Sequence, residues 1–202
     1  NDVTLTKSSL DYPYINITHK VRTFNFDGQG YTIKNLPNCF ISYTGSAKEV
    51  IVVNLTLDGS KINIPDTGTN GIGAFIGYAG TSSTITLSNC HVVNAVIEGG
   101  HWNGGLIGYA AGYNNANNGP VFETVTIEQC SVTNSQIKGD DTSVGGIIGH
   151  ATGDLATKVI MDNITVVGNT ILTNKDNKGG SVVGTVGAAG PVAWNGQKGG
   201  TY

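Results

Sequence analysis

Charge is scarce in this 202-residue chain: Asp, Glu, Lys and Arg together make up 12%. Eleven basic residues stand singly from Lys7 to Lys198 against fourteen acids, a formal net charge of -3. That dispersal excludes the basic stripe with which a protein tracks a nucleic-acid backbone. No apolar run approaches the roughly 20 residues that span a bilayer, and no charged amphipathic helix is legible, so membrane insertion by this segment is not expected. Cysteine is limited to Cys39, Cys90 and Cys130. An odd number without C-x-x-C or Cys/His spacing argues against both a zinc site and a disulfide framework. The four histidines include no H-E-x-x-H pair, and the acids are scattered, Asp140-Asp141 being the one adjacent pair. Paired-carboxylate glycan cleavage is therefore disfavoured, and no catalytic residue, metal or cofactor is expected.

What is present points to short strands joined by tight turns. There are 30 glycines and many Asn, Thr, Val and Ile, with almost no helix-forming stretch, and a hydrophobic content of 39% suffices for a continuous core. The chain opens Asn1-Asp2 without an initiator Met or signal peptide, which reads as a processed form or an excised piece of something longer.

Internal repetition is the dominant signal. GAFIGYA (73–79), GLIGYA (105–110), GIIGHA (146–151) and SVVGTV (181–186) are copies of one element. Their central glycines are Gly77, Gly108, Gly149 and Gly184, and four places earlier stand Gly73, Gly104, Gly145 and Gly180, so glycine is demanded twice per copy. A second element precedes each: VIVVNLTLDGSKI from Val50, ITLSNCHVVNAVI from Ile85, VTIEQCSVTNSQI from Val125 and VIMDNITVVGNTI from Val159. These align without gaps. One column reads Asn54, Asn89, Gln129, Asn163, and its side-chain amides are placed to bond from copy to copy. Another reads Gly59, Asn94, Asn134, Gly168, the residue types that enter left-handed backbone geometry most cheaply. Leu55/Cys90/Cys130/Ile164, Leu57/Val92/Val132/Val166 and Ile62/Ile97/Ile137/Ile171 are spaced to point inward, Cys90 and Cys130 serving as small apolar residues. YTIKNL (31–36) with FISY (40–43) reads as a shortened earlier copy, placing Asn35 in the amide column and Ser42 in the central-glycine column.

Identical positions in successive copies must then lie above one another, which predicts an all-β, right-handed parallel β-helix of four to five coils. The expected organisation is an N-terminal cap segment over 1–30, the repeats over 31–187 and a tail over 188–202. In the glycine-rich strand both alternating faces are apolar, Phe75, Leu106, Ile147 and Val182 on one and Ile76, Ile107, Ile148 and Val183 on the other. Strict alternation predicts that one of them faces outward and serves as a contact wall.

The paired glycines followed by L-I-G or I-I-G, with N-C upstream, resemble the GLUG repeat family of bacterial surface proteins. FNFDGQGYTIKNL (24–36) is similar to the stretch that often precedes such repeats, so the resemblance covers about residues 24–187. It implies a secreted or surface-anchored, adhesin-like module, and no catalytic residue belongs to the repeat itself. Candidate contact residues are the column Tyr43, Tyr78, Tyr109, His150 and, from a loop at 98–103, Trp102. The expected function is an extracellular structural or adhesive module able to associate with itself, with host or neighbouring-cell glycans or proteins as further partners; a carbohydrate-binding or glycan-active protein is the alternative.

Overall fold

The computed structural model describes residues 2–4, 15–17, 23–45, 47–65, 71–79, 84–99, 101–112, 114–115, 119–120, 123–139, 143–153, 157–173 and 179–186. The expected tail over 188–202 and the pair Asp140-Asp141 lie outside them. The described residues are all-β, with no helix among them.

Four sheets of parallel strands carry the fold. The first contains Thr23–Asp27, Thr32–Lys34, Glu49–Asp58, Thr84–Val93, Glu123–Glu128 with Ser131–Thr133, and Thr157–Asp162 with Thr165–Val167. Lys61–Ile64, Val96–Gly99, Gln136–Gly139 and Thr170–Thr173 form the second. The third holds Gly71–Gly73, Trp102–Gly104, Val144–Gly145 and Gly179–Gly180; the fourth runs from Ile15–Asn16 through Ile41–Tyr43, Ile76–Ala79, Ile107–Gly112 and Ile148–Gly153 to Val183–Val186. From Glu49 onward the chain visits the four sheets in the same order each time, so strands from successive copies are hydrogen-bonded neighbours. A short antiparallel pair, Asn114–Asn115 with Gly119–Pro120, sits in the longest insertion.

The register carries the columns read from the sequence. Leu55 pairs with Cys90, and Ile62, Ile97, Ile137 and Ile171 are paired in succession. The first three isoleucines are sealed from solvent, as are Val50, Ile85 and Val125, and Leu57, Val92 and Val132. Each such side chain contributes about 1.5–3 kcal/mol by leaving water, so the stacked columns are the main stabilising feature. In the copy from Thr157 onward, Ile164, Val166, Ile171, Val182 and Val183 are only half-buried.

Both bend columns hold left-handed backbone. Asn54, Asn89, Gln129 and Asn163 have φ of 56°, 51°, 54° and 50°; Gly59, Asn94, Asn134 and Gly168 have 65°, 54°, 51° and 70°. Asn35 belongs to the second of these columns, not to the amide column: Lys34 pairs with Asp58, and the Gly59 position faces Asn35 Oδ1. The shortened copy supplies strands to the first and fourth sheets and, among the described residues, none to the second or third. Thr23–Asp27 pairs with Glu49–Val53, and an insertion at Gly28–Tyr31 turns the chain before Thr32 pairs with Thr56. Part of the segment expected to precede the repeats is therefore hydrogen-bonded into the first sheet.

The outward apolar wall predicted by strict alternation is not found in three of the four pairs, and in the fourth Val182 and Val183 are both half-buried. Phe75 and Ile76 are both fully buried, as are Leu106 with Ile107 and Ile147 with Ile148. Bends at 74–75, 105–106 and 146–147 separate the third-sheet strand from the fourth-sheet strand, so consecutive side chains enter the core from two directions.

The paired glycines lie where those two sheets meet. A Cβ on Gly73, Gly104 or Gly145 would stand 2.6 Å from the backbone N of Gly108, Gly149 or Gly184 respectively, one copy on. A Cβ on Gly108 would strike the backbone of Gly71 and Ile72, one on Gly149 the backbone of Asn103, and one on Gly184 that of Val144. Two sheet backbones thus touch without intervening side chains, which only glycine permits. Ser42 occupies this column at the start of the stack, where no strand of the third sheet is described before Gly71.

Candidate functional site

The fourth sheet brings the predicted aromatic column together. Tyr43 pairs with Tyr78, Tyr78 with Tyr109 and Tyr109 with His150. Ring centroids are 5.6, 4.8 and 5.4 Å apart in that order, and interplanar angles fall from 52° through 28° to 6°.

Trp102 joins this row from the third sheet. It lies in the strand Trp102–Gly104, not in the loop expected over 98–103, and pairs with Gly71. A Cβ on Gly71 would already stand 2.8 Å from Tyr109 Cβ, so this position borders the aromatic column. The indole stacks on Tyr109 at 4.2 Å and on His150 at 5.5 Å, and His101 meets it edge-on at 4.6 Å. All five predicted contact residues, Tyr43, Tyr78, Trp102, Tyr109 and His150, therefore form one continuous row. Most ring faces in it are occupied by neighbouring rings. Tyr43, 37% exposed and tilted from Tyr78, ends the row with the most open ring.

A second row of polar side chains runs along the bend of the first sheet. Asn54 Nδ2 donates to Asp27 Oδ1 and Asn89 Nδ2 to Asn54 Oδ1, each at 3.0 Å. His91 Nε2 lies 3.0 Å from Asn89 Oδ1, and His91 Nδ1 lies 2.9 Å from Ser131 Oγ. Because Asn89 Oδ1 can only accept, Nε2 carries the imidazole proton in this arrangement. Every bond then donates toward Asp27. The Asn54 amide and the backbone N–H of Gln29 hold the Asp27 carboxyl below the usual carboxylate range, while burial lowers His91 from the usual histidine range. Gln129 and Asn163 share the left-handed geometry of this column.

Two polar features escape the column reading. Asn103, fully buried between the register partners Ile72 and Val144, donates through Nδ2 to the carbonyls of Gly99 and Lys138, and its Oδ1 has no partner. Ser135 Oγ accepts from the backbone N–H of Ala95 at 3.0 Å, and Asn169 Oδ1 accepts from that of Ser135 at 2.8 Å, so side chains bridge one copy to the next at this corner. An isolated Asn in an otherwise apolar column is the signal for the first; the small or polar positions Ser60, Ala95, Ser135 and Asn169 are the signal for the second.

No family model, curated protein or solved structure matches this chain. Its chemistry has to be read from its own geometry. Among the described residues no group of three or more His, Cys, Asp or Glu side chains is placed to hold a metal ion. Asp27 and Asp58 act as acceptors for Asn54 and Asn94. The arrangement offers stacking, amide hydrogen bonds and a repeated outer surface.

Proposed function

We propose that the chain is an extracellular structural and adhesive module of a bacterial cell-surface or secreted protein: a right-handed parallel β-helix of the GLUG-repeat type, without enzymatic activity. The observation that supports this reading is the register kept from copy to copy in all four sheets from Glu49 onward, with inward, bend and glycine columns each serving the stack. Such a stack gives length and rigidity, and the ends of stacked sheets are surfaces on which further copies of itself can add as partners. Host or neighbouring-cell glycans or proteins are the other partners of this reading. The test has two arms: sedimentation over a concentration series, and release of reducing ends from a panel of plant and host polysaccharides. Concentration-dependent association without sugar release supports the proposal. Turnover abolished by substituting one acid overturns it.

Carbohydrate binding is the second reading, favoured by the open ring of Tyr43 and by the indole of Trp102 at the side of the aromatic row. Because the other rings stack on one another, oligosaccharide titration followed by NMR should move signals at Tyr43 and Trp102 before those of Tyr78. Shifts spread evenly over the row would contradict that order.

A further inference from the structure

We propose that Cys90 and Cys130 are a redox-responsive pair that closes into a disulfide between successive copies when the chain meets a disulfide oxidant such as glutathione disulfide. The register sets their separation. Ser88 pairs with Glu128 and His91 with Ser131, so Cys90 lies opposite Cys130 between these anchors. In-register neighbours on adjacent strands have Cα atoms about 4.8 Å apart, inside the roughly 4.4–6.8 Å window of disulfides.

Both side chains point into the same inward column, at 0% and 1% exposure. Each S–H has two carbonyls within reach as alternative acceptors, those of Val52 and Ser88 for Cys90 and those of Leu87 and Glu128 for Cys130. The column continues as Leu55 before Cys90 and Ile164 after Cys130, so each of these thiols has only the other as a sulfur neighbour within it. Cys39 sits beside Gly77 at another wall, and burial pushes its thiol up to about 11.

The chemistry balances as ordinary exchange. One thiol loses its proton to solvent, and the thiolate attacks glutathione disulfide, forming a mixed disulfide and releasing one glutathione thiolate. The second thiol, also deprotonated, displaces the remaining glutathione. The protein loses two electrons and two protons, and the oxidant leaves as two glutathiones. The neighbouring Cys130 thiol and burial hold Cys90 as a thiol, so attack takes place when the strands open or while they assemble. Closure draws the two Cβ atoms from strand spacing to the shorter disulfide spacing, and the resulting strain keeps the bond easily reduced.

The experiment refolds the full chain from urea in a glutathione redox buffer, alkylates the remaining thiols and maps the peptides without reduction. The expected product has one disulfide, Cys90–Cys130, with Cys39 alkylated; it unfolds at higher urea than the reduced protein, and dithiothreitol reverses the shift. Cys39→Ala should give the same cross-link, and Cys130→Val, which restores the aliphatic character of the column, should leave Cys90 fully alkylated. A native circular dichroism spectrum with three free thiols, or a mixture of all three pairings, overturns the proposal.

Discussion

Gly59 and Gly108 each belong to a column that repeats through the molecule, yet their columns tolerate different residues. At Gly59 the sister copies hold Asn94, Asn134 and Gly168, and all four have φ between 51° and 70°. At Gly108 the sisters Gly77, Gly149 and Gly184 are invariably glycine once the third sheet is present. The first column selects for conformation, which Asn satisfies almost as well as glycine. The second selects for space, since a Cβ would overlap the backbone of the facing sheet. Which residues replace glycine therefore tells whether a position turns the chain or lets two sheets touch.

The largest effect should come from putting the wrong remedy at the space-limited position. Gly108→Asn should be as damaging as Gly108→Val, each costing roughly 4 kcal/mol or more, because the clash is with backbone atoms that cannot swing aside. Thermal unfolding checks this; a melting point for Gly108→Asn near that of the parent would mean the column is conformational after all. At the bend, Asn94→Gly should change stability by less than about 0.5 kcal/mol, whereas Asn94→Ala should lose about 1–2 kcal/mol through left-handed strain. Both variants lose the bond to Asp58, so the difference between them reports the backbone alone.

Acidification tests the amide row. Burial depresses His91 in the folded state, so the unfolded chain binds the proton first and stability declines as pH falls below about 6.5. Asp27 adds a second loss at lower pH: its depressed carboxyl stabilises the fold at neutrality, and that contribution fades as pH falls from the ordinary carboxylate range through its lowered value. Urea midpoints across pH should show both stages, with His91→Gln flattening only the first. The smallest effect is a gain. Gln129 has φ of 54° at a position where three copies hold Asn, so Gln129→Asn should add about 0.5–1 kcal/mol, read as a higher urea midpoint at unchanged slope.

Much of this arrangement is legible in the sequence because the element from Val50, Ile85, Val125 and Val159 carries no insertion, so every column stays in frame. Asn35 is misplaced by sequence reading for a physical reason. Both bend columns favour Asn, Asn35-Leu36 imitates Asn54-Leu55, and the insertion at Gly28–Tyr31 hides the true frame. Alternation within one strand also cannot foresee the bends at 74–75, 105–106 and 146–147, which put Phe75 and Ile76, and their counterparts, in one core. The aromatic column is visible as a column, but the approach of Trp102 depends on how two sheets face each other, and no single-strand period encodes that.

Selective 13C labelling of isoleucine δ1 methyl groups gives the most direct test that successive copies lie in register. Stacked strands about 4.8 Å apart should give nuclear Overhauser contacts linking Ile62 to Ile97, Ile97 to Ile137 and Ile137 to Ile171. No direct contact is expected between Ile62 and Ile137, two strands apart. Absence of the sequential contacts, or a strong Ile62–Ile137 contact, would contradict the in-register stack.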